Sequence, residues 1–354
     1  MISSIRLQHF RSYTDDSFEF EPGINIIVGP NGSGKTNLLE AILVIASGGS
    51  YRAKDIDLVQ FNAPWARLDG LFDKQNRTLK MVAQDGRVQK TYELGGKAYK
   101  RLSLERTVPA VLFEPNHLQL VIRGPEQRRE YFDDILQRTK AGFKSLRVSY
   151  RRTLAQRNSL LKQNRTRADK QLFAWNVRLS ELGSQIVTAR LDLIEDINEH
   201  ISNTYSDISG KQSVVKLGYE TPINTQHYSS RLLSKLESSA EKDFKRGFTA
   251  YGPHREDITI YLDEQPANIS ASRGEIRRLL LALKIYELKL LEEVRGKKPL
   301  FLLDDVFSEL DGKRRKHLVK HIKNYQTIIT TTDAEAVLEY FSKGTKLIPL
   351  TKNT

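Results

Sequence analysis

Apolar positions at Ile2, Ile5 and Leu7, then at Phe18 and Phe20, predict two short strands near the start of the chain. After Pro22-Gly23, the nearly continuous apolar run Ile24-Asn25-Ile26-Ile27-Val28 predicts a buried strand that leads straight into Gly29. Leu38, Leu39, Ile42, Leu43 and Ala46 then recur at helical spacing, and Gly48-Gly49 stops that helix. Leu79 to Ala83 and Val88 to Leu94 flank Asp85-Gly86, a preferred tight-hairpin dipeptide, and Gly95-Gly96 marks the next reversal. From about Pro125 the texture changes to long helices. One stripe runs through Phe143, Leu146, Tyr150, Leu154 and Leu161, and another through Leu172, Trp175, Leu179, Leu182, Ile186, Ala189 and Leu193. The polar break Asn164-Arg165-Thr166-Arg167 predicts an antiparallel helical hairpin. Strand-like texture resumes near Val214-Val215, and the segment after Ile258 ends in a helix, an apolar strand and another helix. The pattern predicts an α/β domain split by a helical insertion.

Composition narrows the function classes. The chain has 354 residues and no window near the roughly 18 consecutive apolar residues of a membrane helix, so no membrane span is expected. The N-terminus lacks a basic leader followed by an apolar stretch, and the reading is a cytoplasmic protein. With no cysteine, disulfides and thiolate metal sites are excluded. The net charge of +13 makes a polyanionic partner plausible, although a solvated basic surface has the same composition.

Chemistry enters at Gly29-Pro30-Asn31-Gly32-Ser33-Gly34-Lys35-Thr36. This fits G-x-x-x-x-G-K-[ST] and lies between a predicted strand and a predicted helix. Glycines there let successive backbone N–H groups converge on phosphates, and the helix directs its positive end at them. Lys35 is expected on the β- and γ-phosphates of ATP and Thr36 on Mg²⁺. The strand Leu300-Phe301-Leu302-Leu303 ends in Asp304-Asp305, placing Asp304 as a second Mg²⁺ ligand and Asp305 as the group that polarises the attacking water. Ser272-Arg273-Gly274-Glu275 opens an apolar helix. It reads as a capping box, with Ser272 as N-cap and Glu275 reaching back, and also as an ABC-type signature that meets the γ-phosphate held by a second subunit. One serine can serve both.

The order Phe10-Arg11-Ser12-Tyr13, phosphate loop, Ser-Arg-Gly-Glu, Leu-Leu-Asp-Asp and Ser308-Glu309-Leu310-Asp311 resembles the heads of SMC-type and double-strand-break-repair ATPases. The interval between Lys35 and Asp304 leaves room for a helical lobe but for no long coiled-coil arm. Phe113 to Asp133 and Tyr251-Gly-Pro-His-Arg-Glu-Asp257 are similar specifically to the RecF family of bacterial recombination mediators, and the likeness runs essentially end to end. Family members usually carry an acid where Asn116 stands, a glycine where Arg123 stands and a glutamine where Glu275 stands. The resemblance implies an α/β fold, an ABC/SMC-type P-loop ATPase head with an inserted α-helical lobe. The head would comprise residues 1–124 and 211–354, with the lobe at 125–210. It also implies Arg11 and Ser12 near the nucleotide, Ser308 and Asp311 in a D-loop, and His254 and Arg255 in a family-specific core. The implied function is slow ATP hydrolysis coupled to homodimer formation on double-stranded and junction DNA, with RecR and RecO as partners in loading RecA at gaps.

Between Arg138 and Lys170 stand eleven Lys or Arg against one acid, Asp169. Lys140, Lys144, Arg147, Arg151 and Arg152 are the candidates for DNA contact. A solvated face or a docking surface for an acidic protein or a membrane is the alternative. No base-reading motif is present, so recognition would rest on backbone and shape. Two other classes fit the phosphate loop alone. A transporter ATPase subunit would place a glutamate after the acidic strand and a histidine after the next one, whereas this chain has Asp305 and Thr330-Thr331-Thr332-Asp333. A small-molecule kinase leaves Ser-Arg-Gly-Glu unexplained.

Overall fold

The computed structural model describes residues 1–163, 165–305, 307, 312–333, 335–340 and 345–351. The chain divides into two compact units, one of Met1–His117, Asp207–Ser209 and Leu281–Thr354, the other of Leu118–Ser206 and Gly210–Leu280.

The first unit contains β1 (Ile2–Phe10), β2 (Tyr13–Glu19), β3 (Ile24–Val28), α1 (Lys35–Ser47), α2 (Asp55–Leu58), β4 (Trp65–Phe72), β5 (Gln75–Gln84), β6 (Arg87–Leu94), β7 (Lys97–Tyr99) and β8 (Ala110–Phe113). Strands β1, β2 and β4 to β7 form an antiparallel sheet in the order β2-β1-β4-β5-β6-β7. The β5–β6 turn is at Asp85 and Gly86, both at positive φ, as the hairpin dipeptide predicts. α1 packs on β1, β4 and β5 and also on β8, and its buried face includes Leu38, Leu39, Ile42 and Ile45. Each such side chain taken from water stabilises the fold by about 1.5–3 kcal/mol before entropy is charged against it.

The second unit contains α3 (Gln119–Ile122), α4 (Pro125–Thr139), α5 (Phe143–Leu161), most of α6 (Arg165–Ser209), β9 (Val215–Glu220), α7 (Tyr228–Ser238), α8 (Ala240–Arg246), β10 (Asp257–Leu262), β11 (Gln265–Pro266) and α9 (Ala267–Ser270). Phe143, Tyr150 and Leu161 of α5 and Leu172, Leu179, Leu182, Ile186, Ala189 and Leu193 of α6 are buried, which matches the two stripes. Gly183 gives the helices room to approach, because a Cβ there would stand 3.1 Å from Leu232 Cδ2 and 3.5 Å from the Tyr150 ring.

The expected organisation returns the chain to the head at residue 211. The structure instead keeps Gly210–Leu280 with the helices, and the reason lies along one edge of β9. Asn198 bonds both the N–H and the carbonyl of Leu217, and Ser202 does the same for Val215. Ser206 repeats the arrangement at Ser213. Three side chains of α6 therefore satisfy the strand edge that a neighbouring strand would otherwise occupy.

The remaining elements are α10 (Arg273–Arg295), β12 (Leu300–Asp304), α11 (Gly312–Ile322), β13 (Thr327–Thr331), α12 (Glu335–Leu338) and β14 (Thr345–Pro349). The unit boundary falls within α10. In the first unit, β14-β3-β13-β12-β8 form a sheet whose neighbouring pairs are all parallel, and β12 and β13 are buried throughout. That burial explains the apolar run Leu300 to Leu303 of β12, whereas β13 buries Thr327, Thr330 and Thr331 with its two isoleucines. α1 also contacts β12 and β13, so it lies between the antiparallel and the parallel sheet.

Candidate nucleotide site

Residues predicted from two distant motifs meet at the carboxyl ends of β3, β12 and β13. β13 lies between the other two, with Thr330 opposite both Ile27 and Asp304. Thr36 Oγ1 donates to Asp304 Oδ1 at 3.0 Å, and Thr330 Oγ1 donates to the same oxygen at 2.8 Å. Burial raises the Asp304 carboxyl. The two threonine bonds oppose that rise, and the neighbouring charge of Asp305 adds to it. A hydroxyl beside a carboxylate is a set of hard oxygen donors that suits Mg²⁺. Asp305 sits at φ 53°, with its N–H held by Thr330 Oγ1 at 2.9 Å.

The loop itself is shaped for an anion. Gly32 and Gly34 have φ of +84° and +94°, the left-handed region that side chains disfavour. A Cβ on Gly29 would stand 2.6 Å from both Leu350 O and Ser33 Oγ. Gly34 caps α1 without a side-chain bond and the first turn carries no acid, so the positive helix end is not neutralised locally. Ser33 Oγ is buried and makes no hydrogen bond among the described residues, and Lys35 Nζ lies across the loop on the carbonyls of Gly29 and Pro30. Tyr13 steadies the turn by donating to Gly34 O at 3.0 Å. These groups fit a triphosphate with its cation. Pro30 and Asn31 complete the loop without a side-chain bond of their own among the described residues.

Arg11 lies beside this loop as a bidentate partner of Glu40 on α1, at 2.9 and 3.1 Å, and Ser12 Oγ accepts from Asn37 Nδ2 at 3.0 Å. Glu40, Ser50 and Arg52 are absent from the sequence motifs, and Glu114 stands in the Phe113 to Asp133 segment with no role assigned to it. Glu40 is fully buried and takes bonds from Arg11, Arg52 and Ser50. Burial alone would raise its carboxyl, but these three donors prevail and hold it low. Glu114, at the end of β8, is raised by burial and then by the charge of Asp304. The signal for Glu40 was available: it is a lone acid on the apolar face of a predicted helix, and such a charge requires a partner.

Ser272 to Glu275 lie in the second unit. Glu275 Oε2 accepts from Ser272 N at 2.8 Å and from Ser272 Oγ at 2.7 Å, while the Glu275 N–H reaches Ser272 Oγ at 3.3 Å. This is the expected capping box, and its bonds lower the Glu275 carboxyl. The carboxylate that departs from the family pattern is thus directed at its own helix. Arg273 and Gly274 form the first turn of α10. Ser308 and Asp311, and the side chains of Arg165, Arg167 and Lys170, lie outside the described residues.

The basic segment separates into two groups. Lys144, Arg151 and Arg152 are exposed on α5, and Lys140 is exposed beside Asp192 at 3.3 Å. Arg147 is a correction to the predicted DNA set, since it is buried between Asp133, at 3.1 Å, and Glu130, at 3.2 Å. Arg157 is fully buried against Asp243 at 2.8 Å. His254 lies on Tyr150, with Nδ1 2.7 Å from the hydroxyl and Nε2 3.2 Å from Thr249 O. Burial pushes it down to about 4, which leaves a neutral ring with a structural role.

The family model described as the RecF/RecN/SMC N-terminal domain matches residues 1–353. DNA replication and repair protein RecF of Halalkalibacterium halodurans is 35% identical, with 95% of this chain and 94% of that one covered. RecF of Clostridium perfringens is 32% identical over 98% and 97%. Among solved structures, the recombination mediator protein RecF-ATPrS in the RecFOR pathway superposes with a TM-score of 0.86 at 28% identity, covering 100% of this chain and 98% of that one. The RecF-ATP structure gives 0.83 at 30%, over 94% and 92%. An SMC head bound to the C-winged helix domain of ScpA shares the fold, with a TM-score of 0.53 at 17% identity over 95% and 91%. A phosphate loop joined through Thr36 to Asp304, in a chain matched almost end to end by these proteins, establishes that it belongs to the RecF family.

Proposed function

We propose that this chain is an ATP-dependent DNA-binding mediator of recombinational repair and replication, working as a homodimer whose pairing is gated by ATP. The observation that carries the reading is the Thr36–Asp304–Thr330 cluster beneath an open glycine loop. The loop amides and Lys35 bind the triphosphate of ATP, and Thr36 and Asp304 hold Mg²⁺. When bound, the cation neutralises charge on the β- and γ-phosphates. Asp305 takes a proton from the water that attacks the γ-phosphorus as the bond to the β–γ bridging oxygen breaks. Ser272 of a second copy completes the site, so turnover is slow and follows dimer cycling. The exposed Lys140, Lys144, Arg151 and Arg152 contact the phosphates of duplex and junction DNA. By likeness to proteins described as RecFOR-pathway mediators, RecR and RecO are partners in loading RecA at gaps.

Light scattering of Lys35→Arg with and without ATP tests the gate. The variant is expected to stay folded and to lose ATP-dependent pairing and DNA retention, and normal pairing would sink the mechanism. For the DNA face, Lys144→Gln with Arg152→Gln is expected to weaken binding and to reduce the salt slope by about 0.9 for each phosphate contact removed. An unchanged slope would move the contact elsewhere.

A further inference from the structure

Of the two segments that carry the specific family likeness, Phe113 to Asp133 brings Glu114 near the nucleotide site, and the part of it that lies in the second unit meets Tyr251 to Asp257 there. Arg128 forms a bidentate pair with Asp257 at 2.8 and 2.6 Å, Arg129 donates to Glu256 O, and Arg190 joins Asp133 to Pro253 O. Beside this junction is a cavity of about 160 Å³ lined by Arg129, Arg147, Arg151, Arg190, Tyr150 and His254, with Asp133, Glu126 and Glu130 among the remaining lining groups. That is well below the roughly 300 Å³ at which pockets begin to hold drug-sized molecules, and it suits a compact anion.

The charges of this lining do not close on themselves. Asp133 is shared by Arg190, at 2.9 and 3.0 Å, and by Arg147, at 3.1 Å. Glu130 is shared by Arg147 and Arg151, at 3.2 and 3.5 Å. Arg129 forms no ion pair among the described residues. Its neighbour Glu256 spends its carboxylate on the hydroxyls of Tyr219, Thr221 and Tyr228 and offers Arg129 only a backbone carbonyl. Burial, and next the like charge of Arg190, pull the Arg129 guanidinium below its ordinary value against the smaller opposing pulls of Asp257, Glu126 and Asp133. Arg190 and Asp133 are buried and paired and Tyr150 is buried on His254, which makes the floor rigid, while Arg151 is 65% exposed.

We propose that this hollow is a phosphoryl-binding site, formed by Arg129 and Arg151 over the Arg190–Asp133 floor, and that it seats the terminal phosphate of a DNA strand. Planar guanidiniums match the oxygens of a phosphate, and a terminal monoester can enter a concave site that a diester flanked by two sugars enters less readily. Arg152, next to Arg151 on α5, is exposed and available to the adjoining backbone. The choice of DNA as the source rests on the function proposed above, whereas the phosphoryl site itself does not.

The test uses the full chain with ATP and two gapped duplexes that differ only in a 5′-phosphate or a 5′-hydroxyl at the recessed end, read by fluorescence anisotropy. The phosphorylated end is expected to bind about tenfold tighter, the equivalent of one added charge-assisted pair. Arg129→Gln should abolish that preference while keeping its affinity for the hydroxyl end, and Arg151→Gln should narrow it. In parallel, with ATP filling the glycine loop, inorganic phosphate should raise the Tm of the unaltered protein but not that of Arg129→Gln. A preference that survives Arg129→Gln overturns the site. So does the absence of any preference together with the absence of Arg129-dependent stabilisation. Stabilisation without end preference assigns the pocket to free phosphate. If neither duplex binds at all, it is the DNA reading that fails, and the phosphate arm alone decides the pocket.

Discussion

The nucleotide site in the first unit and the arginine-rich junction in the second use charge in opposite ways. Around Gly29 to Thr36 the electrostatics come from backbone, from an uncapped helix end and from short side chains at strand ends. The acids Asp304 and Glu114 stay buried at a cost. The second unit is held by long side chains in buried ion pairs, Arg128 with Asp257, Arg157 with Asp243 and Arg190 with Asp133. The first arrangement tolerates local instability because it awaits a ligand, and these three pairs spend their charges on holding elements together. Removing a charge should therefore have opposite consequences in the two places.

The largest expected effect is at Arg157. Its substitution by alanine strands Asp243 in the core along with the bonds to Asn176 and Thr249, and chemical denaturation should show a loss of about 3–5 kcal/mol. A loss below about 1 kcal/mol would break the contrast. Acid comes next. His254 is held near 4, below its unfolded value of 6.5, so the unfolded chain takes the proton first. Stability should fall as the pH drops from about 6.5 towards 4, by at most about 3 kcal/mol, and His254→Gln should flatten that part of the curve. In the first unit, Asp304→Asn is expected to cut ATP hydrolysis by about a hundredfold while leaving Tm unchanged or higher, because the variant no longer buries a carboxylate. A large fall in Tm would mean that Asp304 is structural. The smallest effect is at Glu275. Its replacement by alanine removes half of the capping box for about 1 kcal/mol, whereas glutamine should restore most of it.

The nucleotide site was legible because its chemistry is local in sequence. One loop with its flanking strand and helix, and one apolar strand ending in acid, state their roles within a few residues. The second unit was harder to read because its pairs join residues far apart, such as Arg190 with Asp133 and Arg128 with Asp257. Counting Lys and Arg also misjudged Arg147. The steps Phe143, Arg147, Tyr150, Leu154, Arg157 and Leu161 alternate by four and three, so both arginines continue the apolar stripe and face inward. Spacing identified the helix, but the net charge of the segment concealed which cations were on its outer face. Glu114 and Arg52 were not legible, because only the parallel order of β8 beside β12 and the fold of the loop after α1 bring them near Asp304.

The edge of β9 shows how two unlike repeats can be brought into step. Four residues of helix advance about 6 Å and two residues of strand about 6.6 Å, so Asn198, Ser202 and Ser206 fall opposite Leu217, Val215 and Ser213 almost in register. The match works as a gauge. A single residue inserted between Asn198 and Ser206 would turn the later side chains by about 100° around the helix and leave strand amides bare, although every inserted or displaced residue remained helical. The length of α6 between these points is thus fixed by the strand beside it, and the uncovered edge of β9 would be free to recruit a strand from another molecule.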